Sequence, residues 1–330
     1  MELVTLGEIR DARDRIKAAA RYTPMLEVPW PESGSRTTGP HDLTTSLFLK
    51  CENLQPIGAF KIRGAFNMIA QLPKEDLERG VVTYSSGNHG QAVAMAAQKL
   101  GAPAVIVMPT TAPQVKIDGC KSYGAEVIME GTTSLDRQKR AEHESRERGL
   151  TIVPPFDHRQ IIIGQGTMGL EILEQCPEVG TVFVPVGGGG MASGVAAALK
   201  LSKPSVRIIA VEPEGAPKMS KSLEAGHPIT LPFSKSIADG LMNLRPGDIT
   251  FAHIRAFVDE VVTVSEGAIA TNVAWLFRHS RLVVEPSGAV TTAAVALGMG
   301  NVDTSKGPVV AVVSGGNVAP EAFAKYVSTA

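Results

Sequence analysis

Cysteine is scarce in this chain of 330 residues, and aromatic residues make up only 5% of it. Cys51, Cys120 and Cys176 are scattered, with no CxxC pair and no histidine at metal-ligand spacing. This pattern excludes a disulfide framework and a cysteine-based metal site, and it indicates free thiols in a reducing compartment. We therefore expect a cytoplasmic protein.

Long apolar runs and an excess of one charge are also missing. No run approaches the roughly 20 residues of a membrane span, and the start of the chain, with acidic Glu2, lacks the apolar stretch of a signal peptide. The formal net charge is −1, which excludes a typical nucleic-acid surface. We therefore expect a small-molecule partner, with no nucleic acid and no membrane.

Short apolar segments alternate with helical patterns through most of the chain. Residues 81–84, 104–108 and 126–129 indicate buried strands. Similar strands are indicated in the second half of the chain at residues 181–186, 206–211 and 309–313. Such strands, separated by helices, predict an α/β fold with a parallel sheet covered on both faces. Residues 31–45, rich in Pro, Gly, Ser and Thr, predict an exposed loop.

Lys61 lies in the segment GAFKIRGA at 58–65, between apolar neighbours and near glycines. A lysine amine is a nucleophile only when it is neutral, and desolvation lowers its pKa towards that state. Glycine allows a planar ligand to approach the backbone closely. The segment therefore predicts a Schiff-base lysine, and the alternative is a surface lysine at the start of a helix over about 62–72.

Four consecutive glycines at 187–190 follow a predicted strand and precede a predicted helix. Main-chain N–H groups and the helix dipole at such a turn favour a phosphate. One alternative is a tight turn with no ligand. Another is a dinucleotide site of an oxidoreductase, with Glu212 as the ribose-binding acid, although the glycines do not match GxGxxG.

Two more turns after strands carry hydrogen-bonding side chains. Asn88 lies in SSGNHG at 85–90, where it either caps a helix or binds a cofactor hydroxyl. Ser314 lies in SGGN at 314–317, at the carboxyl end of a predicted strand, where ligands bind in α/β sheets. A phosphate site, a hydroxyl partner, a ring-nitrogen partner and a Schiff-base lysine are what pyridoxal phosphate requires.

Five motifs together resemble the fold type II pyridoxal-phosphate enzymes, in the branch of serine racemase and the serine/threonine dehydratases. They are GAFKIRGA at 58–65, SSGNHGQA at 85–92, GQGT at 164–167, VGGGGM at 186–191 and SGGN at 314–317. The resemblance implies two open, twisted, mostly parallel sheets flanked by helices. It implies a large cofactor-binding domain (1–56 plus 156–330), a small mobile domain (57–155) and a homodimer.

The resemblance also assigns roles to individual residues. Lys61 would bond covalently to pyridoxal 5'-phosphate, and the remaining cofactor contacts would come from Phe60 behind the ring, Asn88 at the ring hydroxyl, Gly187, Gly188, Gly189 and Gly190 at the phosphate, and Ser314 at the ring nitrogen. The substrate carboxylate would be bound by Ser85, Ser86, Asn88, His89 and Gly90, with GQGT positioning the substrate.

A neutral serine at the ring nitrogen makes the cofactor a weaker electron sink, which favours β-elimination over transamination. Lys61 would remove the Cα proton of a hydroxy amino acid, giving a 2-oxo acid and ammonia. Ser86 stands where the racemase resemblance implies a second acid/base. The alternative function is therefore racemisation of serine or dehydration of 3-hydroxyaspartate. The alternative role for Ser86 is a helix cap without a part in proton transfer. Arg137 matches a position near the substrate, or is a solvated helix residue.

One position departs from the racemase pattern, whose divalent cation is bound by a Glu, a main-chain carbonyl and an Asp. Glu212 and Ala216 match the first two, but Lys218 stands at the third. An ammonium removes a hard ligand and adds a like charge. We therefore expect that Lys218 fills this site or weakens it, and we predict no bound metal.

Overall fold

The computed structural model describes residues 2–31, 45–85, 87–112 and 114–328. The predicted loop over residues 31–45 falls almost wholly outside these ranges, and so does Ser86. The strands are β1 (Met25–Val28), β2 (Leu47–Cys51), β3 (Val81–Tyr84), β4 (Ala104–Met108), β5 (Glu126–Met129), β6 (Thr151–Ile152), β7 (Thr181–Pro185), β8 (Arg207–Pro213), β9 (Glu260–Val264) and β10 (Val309–Val313).

Helices cover both faces of the sheets. They are α1 (Leu6–Ile16), α2 (Ile62–Ile69), α3 (Lys74–Arg79), α4 (Asn88–Leu100), α5 (Gln114–Lys121), α6 (Ser134–Arg148), α7 (Arg159–Gln175), α8 (Gly190–Ser202), α9 (Lys218–Ala225), α10 (Asp248–Phe257), α11 (Glu266–Ser280), α12 (Pro286–Ala296) and α13 (Pro320–Ser328). Single 3-10 turns lie at Glu52–Leu54, Asp239–Leu241 and Thr304–Lys306. Among the described residues, no helix is both long and apolar enough to span a membrane.

The strands form two separate sheets. The larger has the order β1-β2-β10-β7-β8-β9, and the smaller has the order β5-β4-β3-β6. All pairs are parallel except β1 with β2. The prediction of two mostly parallel sheets is confirmed, and the antiparallel edge strand β1 is an addition to it. All strands of the smaller sheet lie within 57–155, while the predicted domain boundaries stay a prediction.

Strands β7 and β10, in the middle of the larger sheet, are almost wholly apolar because helices cover both faces of that sheet. In β7 and β10 every residue is buried, as expected for parallel strands without a solvated face. At the start of the chain, Thr5 and Glu8 form a reciprocal capping box for α1, which satisfies main-chain N–H groups of its first turn. The buried face of α1 consists of Ile9, Ala12 and Ile16.

The sequence pattern predicts helices that begin at about Gln91 and about Met191, and both begin slightly earlier in the structure. Helix α4 already includes Asn88, and α8 already includes Gly190. The first N–H groups of a helix have no acceptor within it. Both helix starts therefore present unpaired donors where strands β3 and β7 end, at one edge of each sheet.

Candidate active site

Lys61 lies immediately before α2 and lines a cavity of about 640 Å³ between the two sheets. Its Nζ donates a hydrogen bond to the carbonyl of Pro155 at 2.6 Å, and it lies 5.1 Å from the centre of the Phe60 ring. Burial lowers the pKa of Lys61 to about 8. An amine with this pKa is partly neutral near pH 7, so it can act as a nucleophile or a base.

The chain just before Lys61 is held by a distant segment. Ala59 forms an isolated antiparallel bridge with Gly315, beyond the end of β10. The side-chain amide of Asn317 donates to the carbonyl of Ile57 at 2.8 Å. These two contacts fix the direction from which Lys61 enters the cavity, because the residues before it cannot shift independently of the turn after β10.

Buried ion pairs anchor α2 just after Lys61. The guanidinium of Arg63 donates two hydrogen bonds to Glu52, both at 2.8 Å, and two more to Glu171, at 2.6 and 2.8 Å. Lys50 donates to the same Glu171 carboxylate at 2.5 Å. Two bidentate pairs of this kind fix orientation as well as charge. Helix α2 is therefore tied to β2, to the turn that follows β2, and to α7.

The four glycines at 187–190 line the same cavity as Lys61. A Cβ at Gly188 would overlap the ring of Phe156, and one at Gly189 would lie 2.7 Å from Cβ of Thr250. Gly189 also has φ +103, a conformation that side chains disfavour. Within the described part of the chain, the N–H groups of residues 187–189 have no main-chain or side-chain acceptor. The loop therefore fits an anion such as a phosphate.

The Asn88 side chain is held from both sides. Its Nδ2 donates to Oε1 of Glu285 at 2.7 Å, and its Oδ1 accepts from Nδ2 of Asn317 at 2.8 Å. One of the two amide hydrogens of Asn88 therefore remains for a ligand in the cavity. This geometry fits the predicted contact with a ring hydroxyl oxygen.

Glu285 is a site residue that the sequence reasoning missed. It is 3% exposed and lines the cavity. Burial, reinforced by the charge of Asp239 and opposed by Lys116, raises the pKa of Glu285 to about 8, so this carboxyl is mostly protonated at neutral pH. Its position directly before Pro286, at the start of α12, was the only available signal.

Ser314 follows β10 and lies on the cavity wall. It is 4% exposed, and its Oγ lies 3.3 Å from the carbonyl of Ser287, a long hydrogen bond. Its own carbonyl accepts from the N–H of Phe60 at 3.1 Å. The backbone thus connects the two predicted ring contacts, and the Ser314 hydroxyl can rotate towards a ring nitrogen.

Ser85, in the turn before α4, and His89, in the first turn of α4, line the cavity. His89 is 2% exposed, its Nε2 lies 3.0 Å from the carbonyl of Val153, and burial lowers its pKa to about 3. A carbonyl only accepts, so Nε2 carries the hydrogen of this neutral ring. The main-chain N–H of His89, in the first turn of α4, remains as the group that suits a carboxylate.

Gly90 and the GQGT motif lie away from the cavity wall. A Cβ at Gly90 would lie 2.9 Å from Cγ2 of Ile106, so this glycine allows α4 to pack closely on β4. The motif at 164–167 is inside α7, where a Cβ at Gly164 would lie 2.6 Å from the carbonyl of Arg63. The structure therefore gives GQGT a helix-packing position in place of the predicted substrate contact.

Two basic side chains line the cavity on the side of the smaller sheet. Lys116 pairs with Asp239 at 2.8 Å. Arg137 donates only a long hydrogen bond, 3.5 Å, to the carbonyl of Thr132. No carboxylate of the described residues lies within ion-pair distance of Arg137. This guanidinium is a candidate partner for an anionic group of a substrate.

Glu212 does not serve as a ribose-binding acid. Its carboxylate is fully buried and accepts from the N–H of Met219, from the N–H and hydroxyl of Ser220, and from Lys218. These contacts leave no free oxygen for a sugar hydroxyl. Across the described residues, no group of three or more His, Cys, Asp or Glu side chains could hold a metal ion.

A family model described as pyridoxal-phosphate dependent enzyme matches residues 16–315. L-threonine ammonia-lyase of Thermotoga maritima is 41% identical over 316 residues, which cover 96% of this chain and 76% of that protein. Serine racemase of Arabidopsis thaliana is 45% identical over 287 residues, which cover 87% of this chain and 84% of that protein.

Solved structures give the same picture. Maize serine racemase superimposes with a TM-score of 0.88 at 38% identity, covering 99% of this chain and 98% of that one. The processed form of threonine deaminase isoform 2 from Solanum lycopersicum superimposes with a TM-score of 0.86 at 35% identity, covering 99% of this chain and 89% of the other.

Proposed function

Because the chain belongs to the pyridoxal-phosphate dependent enzymes, we propose that it eliminates ammonia from hydroxy amino acids of the serine and threonine type. The β-hydroxyl and the Cα proton are lost as water in a β-elimination, and hydrolysis of the released enamine then gives a 2-oxo acid and ammonia. The observation that carries the proposal is that the amine of Lys61, with its pKa lowered to about 8, shares one cavity with the glycine loop at 187–190. The relatives include threonine ammonia-lyases and serine racemases.

The residues present suit pyridoxal phosphate, which when bound supplies the electron sink for chemistry at Cα. The glycine loop would hold its phosphate, Phe60 would lie against the ring, and Asn88 would donate its remaining amide hydrogen to the ring oxygen. Ser314 would face the ring nitrogen as a neutral hydroxyl. A neutral partner does not keep that nitrogen protonated, which favours loss of the β-hydroxyl over transamination.

Lys61 carries the proton in the proposed reaction. Its neutral Nζ removes the Cα hydrogen of the substrate, and its low pKa makes this form available near pH 7. The main-chain N–H of His89, in the first turn of α4, binds the substrate carboxylate together with Ser85. The His89 side chain does not donate a proton to the substrate, since its ring is neutral and the only N–H of the ring points to the carbonyl of Val153.

Purified protein incubated with L-serine or L-threonine tests the proposal. We expect equimolar ammonia and 2-oxo acid, and visible absorbance of the protein that borohydride removes. A colourless protein whose spectrum borohydride leaves unchanged would refute the role of Lys61. A coloured protein that releases no ammonia from any hydroxy amino acid would refute the lyase reaction alone.

Racemisation is the second candidate, and Ser86 is its residue. Ser86 itself lies outside the described residues, but its neighbours Ser85 and Gly87 both line the cavity. Chiral chromatography of the serine that remains in the same assay separates the two reactions. D-serine formed faster than pyruvate would favour the racemase, and pyruvate without D-serine would exclude it.

Arg137 favours a dicarboxylic substrate as a variant of the lyase proposal. An unpaired guanidinium in the cavity would bind the distal carboxylate of 3-hydroxyaspartate. The Arg137→Gln variant should then raise the KM for 3-hydroxyaspartate about tenfold or more while serine is little affected. Equal effects on both substrates would exclude this contact.

The remaining expectations concern the whole molecule. We propose that residues 57–155 move as a small domain over the substrate, and that the protein is a cytoplasmic homodimer. The three cysteines are buried and free, which supports a reducing compartment. Light scattering measures the oligomeric state, and small-angle X-ray scattering with and without substrate measures domain closure.

A further inference from the structure

Lys218, the first residue of α9, is a fully buried lysine that takes no part in the proposed reaction. Its side chain and that of Glu212 are both 0% exposed. The ammonium nitrogen lies 3.0 Å from the carbonyl of Val186, 3.1 Å from that of Ala216, 3.0 Å from that of Leu241 and 3.0 Å from Oε1 of Glu212.

The oxygen atoms around Lys218 show which charge the site holds. Three carbonyls and one carboxylate form a set that is typical of a bound hard cation. A neutral amine has two hydrogens for the three carbonyls, whereas an ammonium has one for each, and its charge balances that of Glu212. A divalent ion does not fit here, because the ammonium would occupy its oxygens and repel it.

The partners of Lys218 connect two segments of the cavity wall with the end of strand β8. Val186 directly precedes the glycine loop at 187–190. Leu241 ends the 3-10 turn Asp239–Leu241, which lines the cavity. Glu212 also accepts the N–H groups of Met219 and Ser220, which ties the start of α9 to the end of β8. One nitrogen atom therefore holds the loop, the turn and the strand end together.

We propose that the Lys218 ammonium is a built-in cation that fixes the glycine loop against the 239–241 turn. The protein then binds its cofactor without any divalent metal ion. A substitution at this position should replace the ammonium by a bound metal ion, because an aspartate at 218 would complete an all-oxygen site with Glu212 and the Ala216 carbonyl. Such a variant would depend on a metal that the natural chain does not require.

Chelation of the holoenzyme is the first test. We expect that EDTA changes neither the melting temperature nor the affinity for pyridoxal phosphate, and that calorimetry detects no binding of Mg²⁺ or Ca²⁺. In Lys218→Asp with EDTA, we expect a melting temperature lower by roughly 5–10 °C and a cofactor affinity weaker by about tenfold. Mg²⁺ or Ca²⁺ should restore both.

Two further variants complete the comparison. Lys221→Asp makes the same charge change at an exposed position of the same helix, and should leave both quantities unchanged with or without metal. Lys218→Met removes the charge but keeps the aliphatic chain, so it should lose cofactor affinity that no metal ion restores. It also keeps the test decisive if Lys218→Asp does not fold.

Two results would overturn the proposal. One is a natural protein that binds Mg²⁺ or Ca²⁺ and gains melting temperature or cofactor affinity from it. The other is a Lys218→Met variant with unchanged melting temperature and unchanged cofactor affinity. Because these measurements need no substrate, they are independent of whether the enzyme proves to be a lyase or a racemase.

Discussion

The side-chain amide of Asn88 donates to Oε1 of Glu285 across 2.7 Å, in a part of the cavity where that carboxyl is fully enclosed. The pair connects the first turn of α4, on the smaller sheet, with the start of α12, on the larger one. Asn88 can direct its second amide hydrogen at a ligand only while Glu285 holds the first. The protonation of Glu285 therefore bears on both stability and cofactor binding.

The Glu285→Gln variant should change how stability depends on pH. Burial raises the pKa of Glu285 from 4.5 to about 8, so the unfolded chain ionises first and stability is lost as the pH rises from about 4.5 to about 8. Glutamine does not ionise. We expect the free energy of unfolding of the variant, relative to the natural protein, to be about 2–4 kcal/mol higher at about pH 9 than at about pH 4.

Chemical denaturation of the cofactor-free proteins at both pH values measures this difference. Asp303→Asn is the matched control, because Asp303 has its pKa lowered by hydrogen bonds to Ser305 and should show no gain at high pH. Equal differences between variant and natural protein at both pH values would contradict the assigned ionisation of Glu285.

Covalent binding of pyridoxal phosphate to the cofactor-free protein should accelerate with pH. Only the neutral amine of Lys61 reacts, and its pKa is about 8, so the rate should fall about tenfold per pH unit below that value and level off above it. Stopped-flow absorbance measures the rate. Lys61→Ala should give no absorbance change, and a midpoint near the ordinary lysine value of 10.5 would contradict the desolvated amine.

Gly188→Ala should weaken the binding of the cofactor phosphate by the glycine loop at 187–190. The added Cβ would overlap the ring of Phe156, so either the ring or the loop must move, at a cost of about 1–3 kcal/mol in unfolding free energy. Cofactor affinity should fall as well. Gly267→Ala, where a Cβ meets no atom within 4 Å, is the control, and similar losses in both variants would refute the steric explanation.

Arg63→Leu should be strongly destabilising. It leaves the buried carboxylates of Glu52 and Glu171 without their guanidinium, and the expected cost is about 3–5 kcal/mol in unfolding free energy. Arg79→Leu removes an exposed ion pair with Asp76 and should cost less than about 1 kcal/mol. Thermal unfolding of both variants measures the contrast, and a small loss at Arg63 would contradict it.

Much of the fold follows from local sequence signals. Mainly apolar segments of four to six residues predicted the strands β3, β4, β5, β7, β8 and β10, because a parallel strand covered on both faces needs few polar side chains. The antiparallel strand β1, MLEV, carries Glu27 on a partly exposed edge. Its short mixed pattern resembles a loop, so its pairing with β2 emerged only from the structure.

The sequence predicted those site residues that lie at turns next to strands and helices. Lys61, the glycines at 187–190 and Ser314 each lie where a strand or loop meets a helix or turn, and the structure brings them to one cavity. Glu285 was not predictable, since its importance comes from burial against Asn88, which is 197 residues away in the chain. The GQGT motif was expected to position the substrate, but its glycines serve the close packing of α7.

The contact of Asn317 with Ile57 joins positions 260 residues apart, and this separation sets an order of events during synthesis. Lys61 leaves the ribosome long before β10 has been made, and contacts of such sequence separation form late in folding. Until then, Ile57 and Ala59, which lie just before Lys61, lack the partners that hold them in the complete protein. The cofactor site therefore stays incomplete during synthesis until β10, which is translated after every other described strand, has been made.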